Sequence, residues 1–473
     1  MITARAFSGK HYAVYGLARS GLATVEALLA SGAKVTAWDD KLAPSPQRGE
    51  GRGEGARQWS ELANAEHPHP ALSLQGEGLS ITPLDEINLS PFDSLVVTPG
   101  LPLNRHPIAK RARDAGVEII GDIELFARAR PELPPHKVVG ITGTNGKSTT
   151  TALVHHILST AGVPTTMGGN IGLPILAQDP LPEGGVYVLE LSSYQIDLTQ
   201  SLDCDVAVLL NITPDHLDRY DSFEAYAASK LRLFEMQSES SKAVIVRDNL
   251  NAREIGERLS DQRWGRVLGP VADDLLEVGF WNDPDSDEWT DEFPQHPDWP
   301  ALQGPHNLQN AVAAFVACKC LGAGEATIGE AFRTYPGLPH RMERVREKDG
   351  VVFVNDSKAT NPTATAPALA AFPAIRWICG GQAKTDNLDE CAPHFGNVRS
   401  AYTIGEAADL FERLLAPHMP VKNCGKLEVA VKEAAADARS GDTVVLSPAC
   451  ASFDQFRDFE ERGDRFRALV GEL

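Results

Sequence analysis

Three times along the chain a short, unbroken apolar run gives way to a stretch in which apolar residues recur at helical spacing. His11-Tyr-Ala-Val-Tyr15 leads through Gly16 into a helical stretch over 21–31, and Lys34-Val-Thr-Ala-Trp38 follows as a second strand ending in Asp39-Asp40. Lys137-Val-Val-Gly-Ile141 leads into a glycine-rich turn and a helix over 148–161. Val351-Val-Phe-Val354 leads into Asn355-Asp-Ser-Lys358 and a Pro/Ala-rich helical region. Two further strands, Val186–Leu189 and Val206–Leu210, lie between the second and third units. Apolar, β-branched strands alternating with helices predict an α/β protein whose parallel sheets carry helices on both faces.

Proline and glycine cluster where these units meet. Pro131-Glu-Leu-Pro-Pro135 and Tyr335-Pro-Gly-Leu-Pro339 predict boundaries giving three domains, 1–131, 132–337 and 338–473. Two stretches read as insertions. The segment 44–78 is rich in Gly, Pro and charge and too polar to offset its ordering entropy, which predicts a mobile loop. The segment 273–299 is acidic and carries Trp281, Trp289 and Trp299, which predicts a surface excursion that packs locally.

Composition narrows the class. At 473 residues the chain exceeds one ordinary core, and its 42% hydrophobic and 23% charged content is that of a soluble globular protein. A formal net charge of -20 opposes a nucleic-acid or anionic-membrane surface. The seven cysteines are scattered and odd in number, and Cys318/Cys320 is a C-x-C, so neither a disulfide framework nor a zinc site is expected. No apolar run of about 20 residues and no signal-type leader occurs, so a soluble, cytoplasmic protein is expected.

Gly140-Ile-Thr-Gly-Thr-Asn-Gly-Lys-Ser148 stands between a strand and a helix, the context a phosphate loop requires. Gly143, Thr144, Asn145 and Gly146 would bring backbone amides to the phosphates, and Lys147 would neutralise the β/γ oxygens. Ser148 would offer its hydroxyl to Mg²⁺, with Thr149 in the same turn. The spacing is G-x-x-G-x-x-G-K-S, with Ile141 where the general motif has its first glycine. Gly16-Leu-Ala-Arg-Ser-Gly21 lacks the middle glycine of a dinucleotide fingerprint, and both nucleotide binding and a plain tight turn remain open for it. Downstream, Glu190 ends an apolar strand, where a carboxylate can hold a hard cation. Asp215, His216 and Asp218 gather at the end of the next strand, and Lys230, in a helical run over 225–234, reads by itself as one surface lysine among many.

The runs GTNGKS, LELSSYQ, NITPDHLDRY, YAASKLRLF, GPHNLQN, LPHRME, NDSKATNP and SPACASFDQF occur in the order seen in Mur ligases. The chain therefore resembles that family over nearly all its length outside the two insertions, and SPACASFDQF and NDSKATNP resemble its D-glutamate-adding member. The resemblance implies a Rossmann-like N-terminal domain, a central P-loop ATPase-type domain and a Rossmann-like C-terminal domain. It implies ATP-dependent addition of D-glutamate to UDP-N-acetylmuramoyl-L-alanine through an acyl phosphate, by a monomer, with two Mg²⁺ ions. Metal ligands would be Ser148, Glu190, His216 and a carbamylated Lys230. Asn307, Asn310, Asp356 and Arg341 would hold ATP; Lys147, His216, Lys230 and Arg341 would be the catalytic set. Ser20, Asp39, Thr98 and Asn170 would hold the UDP substrate, and Lys358, Thr360, Lys384, Ser452 and Phe459 the incoming D-glutamate. Leu338–His340 would be a hinge. Arg19 and Pro305 depart from the residues usual in the family. A sister ligase for another amino acid, a folylpolyglutamate synthase, or a nucleotide-binding regulator are the alternatives. The last leaves Glu190, His216 and Lys384 without a role.

Overall fold

The structure is a computed structural model that describes residues 1–40, 78–215, 219–246, 271–272, 275–276, 299–302 and 305–473. Most of the two segments read as insertions lies outside the described residues, as do His216 and Asp218.

The first sheet contains β1 (His11–Tyr15), β2 (Lys34–Trp38), β3 (Leu79–Ile81), β4 (Ser94–Val97) and β5 (Glu118–Ile120), all parallel in the order β3-β2-β1-β4-β5. That order reverses at β1, and the crevice outside the carboxyl ends of β1 and β4 is where an open α/β sheet binds its ligand. The helix Arg19–Ala30 enters directly from the Gly16–Gly21 turn and buries Val25, Ala27 and Leu28 against the sheet.

The second sheet contains β6 (His136–Thr142), β7 (Thr165–Gly169), β8 (Gly185–Glu190), β9 (Val206–Leu209) and β10 (Lys242–Ile245), parallel in the order β10-β9-β6-β8-β7. Strands β8 and β9 are buried throughout, which is why they read as continuous apolar runs. Register pairs Ile141 with Glu190 and Thr142 with Leu209, so the sequences that follow β6, β8 and β9 emerge on one sheet edge. A short antiparallel pair, β11 (Val271–Ala272) and β12 (Leu275–Leu276), follows.

The third sheet contains β13 (Glu343–Lys348), β14 (Val351–Asn355), β15 (Ile375–Gly380), β16 (Val398–Ile404), β17 (Val421–Gly425) and β18 (Thr443–Leu446) in the order β13-β14-β18-β15-β16-β17. It is not wholly parallel: β13 joins β14 antiparallel through the tight turn at Asp349-Gly350, both at positive φ. A strand reversing over two residues cannot form a crossover, so the edge strand alone breaks the parallel rule.

Contacts group the chain into two compact units, Met1–Pro294 with Val312–Gly329, and Gln295–Ala311 with Glu330–Leu473. The first two sheets share one unit because they share one core. Phe126, on the helix Asp122–Ala129 of the first sheet, packs edge-on against Tyr187 of β8 at 5.0 Å between ring centroids. Burying each such ring stabilises by roughly 1.5–3 kcal/mol. The Glu124 carboxylate, 1% exposed, accepts from the amides of Gln200 (2.7 Å) and Ser201 (2.9 Å), and Arg128 Nε donates to it at 2.8 Å. No helix among the described residues is long and apolar enough to cross a membrane.

Candidate active site

The phosphate loop leaves β6 at Thr142 and closes at Gly146, whose φ of +83° caps the helix Lys147–Thr160. Glycine is needed there because only it adopts that conformation without strain. The loop is braced by a segment that the sequence reading did not assign. Thr144 N donates to Asn211 O (2.9 Å), Asn145 N to Asn211 Oδ1 (2.9 Å), and Thr213 N to Thr144 Oγ1 (3.0 Å). Tyr226 OH lies 3.0 Å from Thr144 Oγ1. Asn211 follows β9 and Tyr226 sits on the helix Phe223–Glu235, so the loop's shape is set by two other elements. In the sequence, the sole signal was that Asn211 opens the run carrying Asp215 and His216.

Lys147 Nζ donates to the carbonyls of Gly143 (2.9 Å) and Thr144 (2.8 Å), which holds the amine over the loop. Lys230 reaches the same place from the opposite element. It is not a surface lysine: its residue is 1% exposed, its Nζ donates to Gly143 O at 3.0 Å, and it lies 4.7 Å from the Tyr226 ring centroid. Burial holds its pKa well below the usual lysine range, and Lys147 adds like-charge repulsion, while Asp215 and Asp197 pull the other way. The amphipathic-helix reading failed because Ser229 and Lys230 lie on the buried face with Tyr226 and Leu233.

Glu190 is 2% exposed at the end of β8. Asn170 Nδ2 donates to its Oε1 at 2.8 Å and Asn170 N to its backbone carbonyl at 2.9 Å, so a residue assigned to substrate and one assigned to metal stand together. Among the described residues, its Oε2 is buried with no hydrogen-bond partner. A buried carboxylate oxygen left without a donor is costly, and a hard cation satisfies it. With Ser148 also buried, these oxygens fit Mg²⁺. Among the described residues no three His, Cys, Asp or Glu side chains cluster around one point.

At the first sheet, Ser20, Gly21 and Thr98 line a narrow crevice together with Asp122, whose carboxyl burial pushes up to about 6. A Cβ on Gly21 would overlap the Gly16 carbonyl, so both ends of the Gly16–Gly21 turn have to be glycine. Asp39 Oδ2 accepts from Leu17 N at 2.7 Å and holds the turn from below. Arg19 Nη2 donates to Gly172 O at 2.9 Å, tying the turn to the loop of Asn170.

In the second unit, Asn310 Nδ2 donates to Asn307 Oδ1 at 3.3 Å. Asp356 accepts from Ser447 Oγ (2.7 Å) and Met342 N (3.1 Å), and an isolated antiparallel bridge, Leu338–Arg341, precedes the unit's sheet. Lys384 Nζ donates to Thr360 Oγ1 (3.1 Å), and Lys358 Nζ lies 4.8 Å from the Phe459 ring centroid. Ser452 is buried, and its carbonyl accepts from Phe456 N at 2.8 Å. The residue that organises these loops is Arg462, which sequence reading missed. Its guanidinium, 1% exposed, donates to Ser357 O (2.8 Å), Cys450 O (3.1 Å) and Ala451 O (3.3 Å), joining the 355–360 and 447–452 loops. Nothing in the spacing distinguished it from the exposed arginines of the same helix, Phe459–Glu472.

Burial raises the Asp356 carboxyl to about 7, with Ser447, Met342 N and Arg341 drawing it back. An aspartate in the unfolded chain titrates near ~3.9. The folded carboxyl therefore keeps its proton where the unfolded one has lost it, and that stabilisation disappears as pH rises through 7. The thermal midpoint of the ligand-free protein should fall from about pH 4 to about pH 7 and level off above it, and Asp356→Asn should flatten that slope. Equal slopes in a pH series of melting curves would contradict this assignment.

A phosphate loop at the centre of a parallel sheet, with a carboxylate on the neighbouring strand, defines a nucleotide-triphosphate-binding protein of the P-loop class. The family profile described as Mur ligase middle domain matches residues 141–318, and that described as Mur ligase, glutamate ligase domain matches residues 340–450. Three relatives, from Novosphingobium aromaticivorans, Sphingopyxis alaskensis and Zymomonas mobilis, are 56%, 54% and 51% identical. Each alignment covers 100% of this chain and 97%, 100% and 100% of the relative, and each relative is named UDP-N-acetylmuramoylalanine–D-glutamate ligase. The chain belongs to the Mur ligase family. Its fold is that of the UDP-N-acetylmuramate–alanine ligase of Thermotoga maritima (TM-score 0.56, 17% identity, 98% of this chain and 99% of that one). The MurF ligase of the same organism, solved with ADP, gives TM-score 0.56 and 16% identity over 98% and 96% of the chains.

Proposed function

We propose that this protein is the ligase that joins D-glutamate to UDP-N-acetylmuramoyl-L-alanine with hydrolysis of ATP to ADP and phosphate, in cytoplasmic peptidoglycan precursor synthesis. The observation that carries the reaction type is the buried phosphate-loop centre of Lys147, Lys230 and Glu190; the full-length relatives at 51–56% identity support the particular substrates.

In the first step a carboxylate oxygen of the L-alanyl group attacks the γ-phosphorus, and the bond to ADP breaks. The D-glutamate amine then attacks the acyl-phosphate carbonyl; phosphate leaves and the nitrogen loses its proton. The first step brings two anions together, so charge neutralisation is the main demand on the protein. Lys147 and the amides of Gly143–Ser148 supply it at the phosphates, with Arg341 assigned to the same role. Asn170 orients the Glu190 carboxylate. Mg²⁺ would be held by Ser148, Glu190, His216 and carbamylated Lys230, and when bound supplies positive charge at the phosphate oxygens. Asn307, Asn310 and Asp356 are assigned to the nucleoside; Ser20, Asp39 and Thr98 to the uridine diphosphate; Lys358, Thr360, Lys384, Ser452 and Phe459 to D-glutamate. The working division into domains is 1–131, 132–337 and 338–473, and the active form is a monomer.

The test is phosphate release from ATP with UDP-N-acetylmuramoyl-L-alanine and Mg²⁺, run against D-glutamate, L-glutamate, L-alanine, L-lysine and meso-diaminopimelate. Turnover with D-glutamate alone, lost on chelating the metal, is the expected result. Turnover that follows another amino acid, or none, overturns it.

A further inference from the structure

One arginine outside the catalytic set joins the two ends of the proposed substrate path. Arg219 lies just after the Asp215–Asp218 stretch, in the same run as His216. Its Nη2 donates to Leu101 O (2.7 Å) and Pro99 O (3.4 Å), and its Nη1 to Gly100 O (3.2 Å). Those three carbonyls immediately follow Thr98, on the loop leaving β4 at the crevice of the first sheet. One planar guanidinium collecting three successive carbonyls fixes a loop's position and direction in a way that no ammonium reproduces.

The other face of the guanidinium is fixed too. It lies 4.3 Å from the Tyr194 ring centroid, and Tyr194 stacks on Tyr220 at 6.1 Å with 17° between planes. Tyr220 OH donates to Asp197 Oδ2 at 2.8 Å, and its ring meets Tyr226 edge-on at 5.4 Å. Tyr226 OH in turn stands 3.0 Å from Thr144 Oγ1 in the phosphate loop. A continuous set of packed rings and hydrogen bonds thus runs from the Thr98 loop through Arg219 to the phosphate loop.

We infer that Arg219 is a positioning residue that sets the distance between the loop holding the nucleotide end of the UDP substrate and the loop that activates its carboxylate. The inference rests on the ligase reading above. A substrate anchored at its uridine diphosphate reaches the γ-phosphate only if those two loops are correctly spaced. A displacement of about 1 Å is enough to cost ~100-fold in an oriented reaction. Arg219 touches neither reacting group in this account; it acts through Thr98 on one side and through Tyr226 and Thr144 on the other.

The experiment is steady-state kinetics on the full-length protein, varying each of the three substrates, for the parent, Arg219→Ala, Arg219→Lys, Thr98→Ala and the Arg219→Ala/Thr98→Ala double variant. Arg219→Ala is expected to lower kcat/KM for UDP-N-acetylmuramoyl-L-alanine by ~30- to 100-fold while the KM for ATP stays within about twofold, with Arg219→Lys intermediate. Thr98→Ala is expected to cost ~10-fold in the parent but under ~3-fold beside Arg219→Ala, because its contact counts only while the loop is held. A KM for ATP that rises in step with that for the UDP substrate makes Arg219 a brace of the phosphate loop and overturns the inference. So do penalties that simply multiply, or an Arg219→Ala enzyme equal to the parent. If Arg219→Ala does not fold, Arg219→Lys decides by the same split between kcat/KM for the UDP substrate and the KM for ATP. A parent that releases no phosphate with D-glutamate overturns the ligase reading and this inference together; an active parent with an unaffected variant overturns the inference alone.

Discussion

Replacing Lys147 with alanine is expected to lower kcat for phosphate release by at least ~100-fold while the protein remains folded. Lys147 Nζ is held at 2.9 and 2.8 Å by the Gly143 and Thr144 carbonyls, above the amides that open the helix. Alanine keeps those amides and the helix, since it is the best helix former, and removes only the ammonium charge. Losing one preorganised charge-stabilising donor costs about 3–4 kcal/mol at the transition state, which is a factor of ~10² to 10³. Circular dichroism and a melting curve check the fold, and phosphate release at saturating substrate checks the rate. Turnover within a few-fold of the parent would remove the lysine from the mechanism.

The second large effect is expected at Lys230. With its pKa held well below the ordinary range by burial and by Lys147, the amine is free to act as a nucleophile toward CO₂. In the proposed carbamylation a nitrogen–carbon bond would form, a proton would pass to solvent, and a neutral amine would become an anionic oxygen donor. Lys230→Ala should lower activity by more than ~100-fold, because it removes an anionic ligand of the proposed Mg²⁺ site where charge neutralisation matters most. Its side chain is buried, so truncation also costs some stability, on the order of 2 kcal/mol, read as a modest fall in thermal midpoint. The decisive readout is rescue: formate or acetate entering the vacated space should restore part of the rate. Parent-like activity would return Lys230 to a packing role, and an inactive variant that no small acid rescues would remove the support for the carbamate.

The phosphate loop was legible because a glycine-rich turn, a lysine and a hydroxyl follow one another in a few residues. Long, fully buried parallel strands also leave an unmistakable apolar run, as β8 and β9 do. What was not legible depends on residues far apart in the chain. Asn211 braces a loop 66 positions earlier, and Arg462 reaches back 105 positions to Ser357. Neither lies in a pattern with a fixed spacing, so each reads as one polar residue among many. The antiparallel β13 was missed for a different reason: its sequence is almost wholly charged, and strand signals are signals of burial. Lys230 failed through the helix face. One lysine between Tyr226 and Leu233 belongs to the buried stripe only if something inside pairs with its amine, and that partner is a backbone carbonyl the sequence does not mark.

The composition of β13 bears on how this protein behaves at high concentration. Glu343-Arg-Val-Arg-Glu-Lys348 forms one border of the third sheet, and a border strand offers a row of amides and carbonyls to any other extended chain. Five of its six side chains carry charge of both signs. A second strand adding there would have to desolvate those groups against an arbitrary partner, and identical strands pairing parallel in register would set like charges opposite each other at five positions. The border strand is therefore guarded against edge-to-edge pairing by the charge of its own residues.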